Sequence, residues 1–265
     1  KVSDYITVYV ENTQVEEALE ADQLDQLLKP IAEDMVIELE SETATFMANN
    51  AALTSGDPDN SIAKWSDVAN AGALLKDIGA PSGKRYGVID CFDETVLADL
   101  QTQLGVNGEV GSAWDTAVVK RGFAGLNEVL TTNNLPQYTA GNDITGITLA
   151  ATPSGTYTSY KDTYRMSLTL AGFTATTGTL TAGTTLSFPA TSLVNLRNGK
   201  TLYKAGSSIP LTLTVLPDAS GSFTYTADGS GNIVCEVSGA AIYETGLNAA
   251  FNTVNRALAS GDTVT

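Results

Sequence analysis

The sequence predicts an α+β protein: a long helix and a mixed α/β region, followed by a region of short strands that suits a small barrel or sandwich. Three observations carry this expectation. Residues 30–49 hold the longest uninterrupted helical pattern, with Ile31, Met35, Leu39, Thr43 and Phe46/Met47 at spacings of three and four. Strand-like and helix-like runs then alternate up to about residue 137. Near residue 138 the composition turns to Thr, Ser and Gly, and helical periodicity gives way to short alternating runs separated by turns.

Taken in order, residues 5–12 alternate in a β-rich composition and predict a half-buried strand containing Tyr5 and Tyr9. Residues 15–29 place Glu16, Glu17, Glu20, Asp22 and Asp25 around four leucines. Pro30 pushes Lys29 away from the α region and suits a first helical turn, so the long helix is expected to start afresh there and to end at Asn49-Asn50. One face is then apolar, with Glu33, Asp34, Glu38, Glu40 and Glu42 making the other strongly acidic. Trp65, Val68, Ala69, Leu75 and Ile78 mark a second helix, closed by Gly79 and Pro81 and capped near Ser66 or Asp67. Gly72 lies on its stripe and weakens it. A strand at 86–89 leads to Asp93 as N-cap of a helix over 94–100. A brief helix at 113–121 and a strand at 126–131 follow. The β region offers runs at 164–170, 178–182, 184–188, 209–216, 223–227 and 233–237, with turns at Asn198-Gly199, Pro217-Asp218 and Asp228-Gly229. The tail from Phe251 returns to a mixed texture.

Composition narrows the chemistry. The 265 residues are 43% apolar, enough for real cores. Residues 1–140 hold 23 acidic and 8 basic side chains, while residues 141–265 hold 7 and 6, so the net charge of −16 sits almost wholly in the first part. That surface repels a phosphate backbone. The chain contains no histidine, which removes the usual general base and the commonest zinc ligand. Cys91 and Cys235 show no disulfide spacing and read as free thiols. No run of about 18 apolar residues suits a membrane span, and no signal segment opens the chain.

The possible site motifs each have a plainer reading beside them. Glu16/Glu17/Glu20 and Glu38/Glu40/Glu42 have the oxygen donors of a hard-cation or two-carboxylate site, but carboxylates on a helix face are ordinarily solvated. Asp57-x-Asp59-Asn60 and Asp228-Gly-Ser-Gly-Asn232 resemble pieces of calcium loops without the later glutamate, and read as turns. The glycines at 105–108 and 178–183 lack the strand–helix context of a phosphate loop. Trp65 and Trp114 fall in apolar helical patterns that suit core packing. No enzymatic centre and no cofactor is expected.

In their order, the strand 5–12, the acidic helix 30–49, Trp65-x-x-Val68-Ala69, the strand and helix at 86–100, and Gly122-Phe123 with Asn133-Asn-Leu-Pro136 resemble the major capsid proteins of tailed phages with the Hong Kong 97 fold. Residues 164–172, 178–188, 209–215 and 233–237 are similar to the inserted β-barrel of the Salmonella podovirus P22 type. The resemblance implies an extended loop at 1–29, a spine helix with peripheral and axial core at 30–137, the inserted barrel at 138–248, and re-entry into the core at 249–265. It leaves out an arm before the loop and the strands that close the axial domain. It implies a structural subunit assembling as hexamers and pentamers of an icosahedral shell, with scaffolding and portal proteins as partners, packaged double-stranded DNA held without sequence readout, and no membrane. The virion would be its location, after assembly in the host cytoplasm. Contacts between subunits would involve Tyr5, Tyr9, Glu16, Glu17 and Glu20 of the loop, with Lys161, Asp162, Arg197 and Lys200 on barrel loops that also read as plain solubilising charge. The rival class is a surface adhesin or carbohydrate-binding β domain.

Overall fold

A computed structural model describes residues 24–56, 61–103, 122, 124–137, 145–153 and 155–265. The expected strand at 5–12, the turn at 57–60, the loop at 105–111 and the helix at 113–121 lie outside them, with Tyr5, Tyr9, Glu16, Glu17, Glu20 and Trp114. The chain forms two compact units. One comprises residues up to Met47 with Asn134–Pro136; the other comprises Ala48–Asn133 and Gln137–Thr265.

In the first unit, helix α1 runs over Leu24–Asn49, roughly 39 Å at 1.5 Å per residue. It begins before Pro30 rather than at it, and Pro30 lies inside the helix. Proline removes the donor that would serve the Gln26 carbonyl and its ring crowds that carbonyl, a loss that a helix this long carries. Along its apolar stripe Leu39, Phe46 and Met47 are more than half exposed.

The second unit opens with helix α2 (Trp65–Asp77). Its cap is not an N-cap hydroxyl or carboxylate. Asp67, one turn in, accepts the N–H groups of Ala63 at 3.1 Å and Lys64 at 2.9 Å through Oδ2, using donors the helix cannot satisfy itself. Gly79, at φ +92°, ends the helix where the sequence requires. Trp65 is exposed rather than in the core, because it sits on the opening turn, away from the buried stripe of Val68, Gly72 and Leu74.

Strand β1 (Tyr86–Asp90) passes directly into helix α3 (Cys91–Gln103), and strand β2 (Glu128–Thr132) returns parallel to β1, with Val88 opposite Leu130. Helix α3 starts at Cys91 rather than after an Asp93 cap, because Asp90 Oδ2 accepts the Phe92 N–H at 2.9 Å and does the capping from the strand end. Strand β2 starts later than 126 because Asn127 is tied sideways to Arg85. Its Oδ1 accepts the Arg85 N–H at 2.8 Å, and its N–H donates to the Arg85 carbonyl at 2.8 Å.

All six expected β runs form strands: β4 (Arg165–Ala171), β5 (Thr179–Thr181), β6 (Thr185–Ser192), β9 (Pro210–Val215), β10 (Thr224–Thr226) and β11 (Asn232–Ser238). Three short strands were not legible in the sequence: β3 (Thr148–Leu149), β7 (Tyr203–Lys204) and β8 (Ser207–Ser208). The main sheet is antiparallel with order β3-β4-β11-β9-β6; β5 pairs with β10, and β7 with β8. These strands leave the sheet open rather than closed as a barrel. The tail lies between its outer edges. Val264 N–H donates to Ile147 O at 3.0 Å and Leu149 N–H to Asp262 O at 2.9 Å on the β3 side, while Thr265 and Ser187 of β6 exchange bonds of 2.7 and 3.0 Å.

Alternation fixes which side chains are inside. Met166, Leu168 and Leu170 of β4, Leu186 and Phe188 of β6, and Ile233, Cys235 and Val237 of β11 are almost fully buried. Each contributes about 1.5–3 kcal/mol if it is a large apolar side chain. Leu74 of α2, Ile78 at its C-terminal cap, and Val254, Leu258 and Val264 of the tail belong to the same cluster. Val68 faces a smaller one with Ile89, Leu97 and Ala98. Helix α2 therefore serves two cores.

Candidate intersubunit surface

The surface that partners could meet is built from three kinds of residue: uncovered apolar side chains, exposed carboxylates and pinned cationic loops. On α1, Glu33, Asp34, Glu38, Glu40 and Glu42 are exposed alongside the bare stripe. Lys29 Nζ and Glu33 Oε1 are 3.9 Å apart and well solvated, a pair that contributes little, and Asn134 Nδ2 donates to Glu40 Oε2 at 3.2 Å.

The strand–helix–strand region also has an uncovered face. Tyr86, Val88 and Leu130 share one side of the two-stranded parallel sheet and are about half exposed, while Ile89 on the other side is buried. Parallel strands are normally covered on both faces. Phe92, 81% exposed, stands at the start of α3.

The loop carrying Lys161 and Asp162 is positioned by a short helix α4 (Tyr157–Tyr160). Tyr157 stacks on Phe251 with ring centroids 4.2 Å apart and planes 9° from parallel, and its N–H donates to Glu244 Oε1. Glu244 is itself held: its Oε2 accepts Asn248 Nδ2 at 2.8 Å, and its N–H donates to Asn252 Oδ1 at 2.7 Å. Lys161 and Asp162 are exposed on this frame. The loop carrying Arg197 and Lys200 is pinned to the end of α2. Asn195 Oδ1 accepts the N–H groups of Arg197 at 2.9 Å and Asn198 at 3.2 Å, Asn195 Nδ2 donates to Asp77 O, and Arg197 Nε donates to Gly79 O at 2.9 Å. Lys200 lies exposed beyond it. The two loops thus belong to different local frames.

Sequence reasoning missed Lys76 and Arg85, which line a concavity with Arg197. The adjacent Lys84-Arg85 pair was the only trace of them, and nothing in the spacing links residue 85 with residue 197. Among the remaining motifs, Asp228 Oδ1 accepts the N–H groups of Ser230 at 2.7 Å and Asn232 at 2.9 Å, so this stretch is a turn. Those backbone donors hold the Asp228 carboxyl below its ordinary value. Cys91 is exposed and Cys235 buried, both free; burial pushes the Cys235 thiol up to about 12. No helix among the described residues is long and apolar enough to cross a membrane.

The described residues thus offer contact surface: uncovered apolar side chains, exposed carboxylates and pinned loops. Comparison with known families gives its place: the family described as P22 coat protein, gene protein 5, matches residues 1–265, and the chain belongs to that family. It is 39% identical over 266 residues to the "Major capsid protein" of Acyrthosiphon pisum secondary endosymbiont phage 1. That match covers all of this chain and 61% of the relative, so the chain spans about three fifths of the relative's length.

Proposed function

We propose that the chain is the shell-forming part of a tailed-phage head protein with the Hong Kong 97 fold, a structural rather than enzymatic role. The observation that carries this reading is the family match along the whole chain. The bare stripe of α1 and the uncovered face of β1 and β2 support it, because apolar surface on an isolated chain favours association. Copies would meet as hexamers and pentamers, through residues 1–29 with Tyr5, Tyr9, Glu16, Glu17 and Glu20, and through the loops with Lys161, Asp162, Arg197 and Lys200. Such charges set register and rate more than affinity. Scaffolding and portal proteins would assist in the host cytoplasm, and double-stranded DNA would be enclosed without sequence recognition. Residues 138–248 would form the inserted domain, and the tail bonds from Asp262 to Thr265 favour its closure as a barrel. Expressed with its neighbouring genes, the full-length protein is expected to give closed particles or lattice sheets by electron microscopy; a persistent monomer at high concentration would exclude the reading.

A further inference from the structure

The concavity beside the end of α2 encloses about 420 Å³ and is walled by Lys76, Arg85 and Arg197 with Ser82, Gly83 and Gly125. Among the described residues three cations and no carboxylate line it, in a chain with 14 basic and 30 acidic residues. Two of the cations are held by the main chain: Arg85 Nη1 donates to Gly72 O at 2.9 Å, and Arg197 Nε donates to Gly79 O at 2.9 Å. Each bond fixes a guanidinium plane and leaves further N–H donors of its fork, the geometry that suits a carboxylate. Lys76 belongs to the last turn of α2, and its Nζ lies 4.0 Å from where a Cβ on Gly125 would stand, which places the ammonium beside that glycine.

A complementary row exists on α1. Asp34, Glu38 and Glu42 follow one another at intervals of four residues, so they line one side of the helix, and all three are exposed. Like charges at that spacing oppose each other until cations face them. For copies of a chain with net charge −16 to approach, such a row needs a basic counterpart. We propose that the Lys76/Arg85/Arg197 concavity receives the Asp34, Glu38 and Glu42 carboxylates of a second copy of this chain. The inference rests on the shell-forming reading and assigns one pair of surfaces within it.

Two measurements test it on the full-length protein. Unlabelled and nitrogen-15-labelled chains are mixed, assembled and treated with a zero-length carbodiimide coupler. The expected product is mixed-isotope peptides joining Lys76 to Asp34, Glu38 or Glu42. Same-isotope products alone, or Lys76 joined only to other carboxylates, would overturn the pairing. In the second, Lys76→Glu is expected to lower particle yield at least tenfold, Lys76→Gln to lower it less, and Glu38→Lys with Glu42→Lys to restore the yield of Lys76→Glu. Loss from misfolding would not be restored by charges on another surface. Parent-like particle yield from Lys76→Glu would remove this inference and leave shell formation standing. A parent chain that forms no particles would remove both.

Discussion

At the residue scale, two side chains carry sharp expectations. Gly72 lies buried inside α2, and a Cβ there would stand 3.6 Å from Ala124 O, an ordinary contact. Replacing glycine by alanine within a helix gains about 0.5–1 kcal/mol, so Gly72→Ala is expected to raise the thermal midpoint and leave the Arg85 bond to the residue 72 carbonyl in place. Asp262 tests the tail. Its Oδ1 lies 2.8 Å from Arg256 Nη2, and its Oδ2 accepts the Ala259 N–H at 2.9 Å. Burial pushes this carboxyl up, but the Arg256 bond, the Ala259 N–H and the Arg256 charge together outweigh it and hold the group below its ordinary value. A carboxyl lowered in the folded state stabilises the fold above its unfolded pKa of about 3.9, and that contribution is lost as pH falls through the folded value. Asp262→Asn is therefore expected to cost about 1 kcal/mol at pH 7, limited by the partial exposure of Arg256, with the difference from the parent shrinking in acid denaturation.

At the element scale, the sequence located strands better than helix ends. Strand alternation is a local signal with a period of two, and the runs that became β4, β6 and β11 are visible because one face is buried under a continuous core. Helix boundaries depend on which group satisfies the end. At α2 the carboxylate of Asp67, one of the two residues the sequence offers, works from within the first turn, whereas at α3 Asp90 works from the preceding strand, so side-chain identity alone places only the second cap too late. Pro30 misled in another way. It was read as a start, whereas α1 passes through it. Pro30→Ala should return a donor to the Gln26 carbonyl and remove the ring clash, adding about 1–3 kcal/mol to this part of the helix. Circular dichroism should show greater helical signal and a higher melting point; unchanged helicity would mean that the preceding turn is not part of α1. The stripe on α1 was legible as a pattern, but periodicity cannot say what covers a face. Likewise the cationic concavity joins residues 76, 85 and 197 through the tertiary fold, beyond any local spacing.

At the scale of the whole molecule, the tail binds the start of the β domain to its far edge. Val264 is 2% exposed within the main cluster, between backbone bonds to Ile147 and the Ser187 pairing of Thr265. An unpaired charge there would be buried, so Val264→Asp is expected to cost more than about 3 kcal/mol. Chemical denaturation and proteolysis of the β domain would measure it; a parent-like midpoint would show that the tail is dispensable to the core. The full-chain family match explains why order mattered more than any one motif: each stretch alone is an ordinary helix or strand, whereas their succession is specific.

The same tail has a consequence for synthesis. Ser260 Oγ donates to Ala150 O across 110 residues of sequence, so the first strand of the sheet waits for its last neighbours while the intervening chain is made. At about 5–20 residues per second, that wait lasts roughly 5–20 seconds. Until it ends, the β3 edge and the apolar cluster beneath it lie open, a high-contact-order closure that makes nascent chains on one polysome vulnerable to pairing with each other. The order of translation thus sets when the domain becomes safe from its own copies.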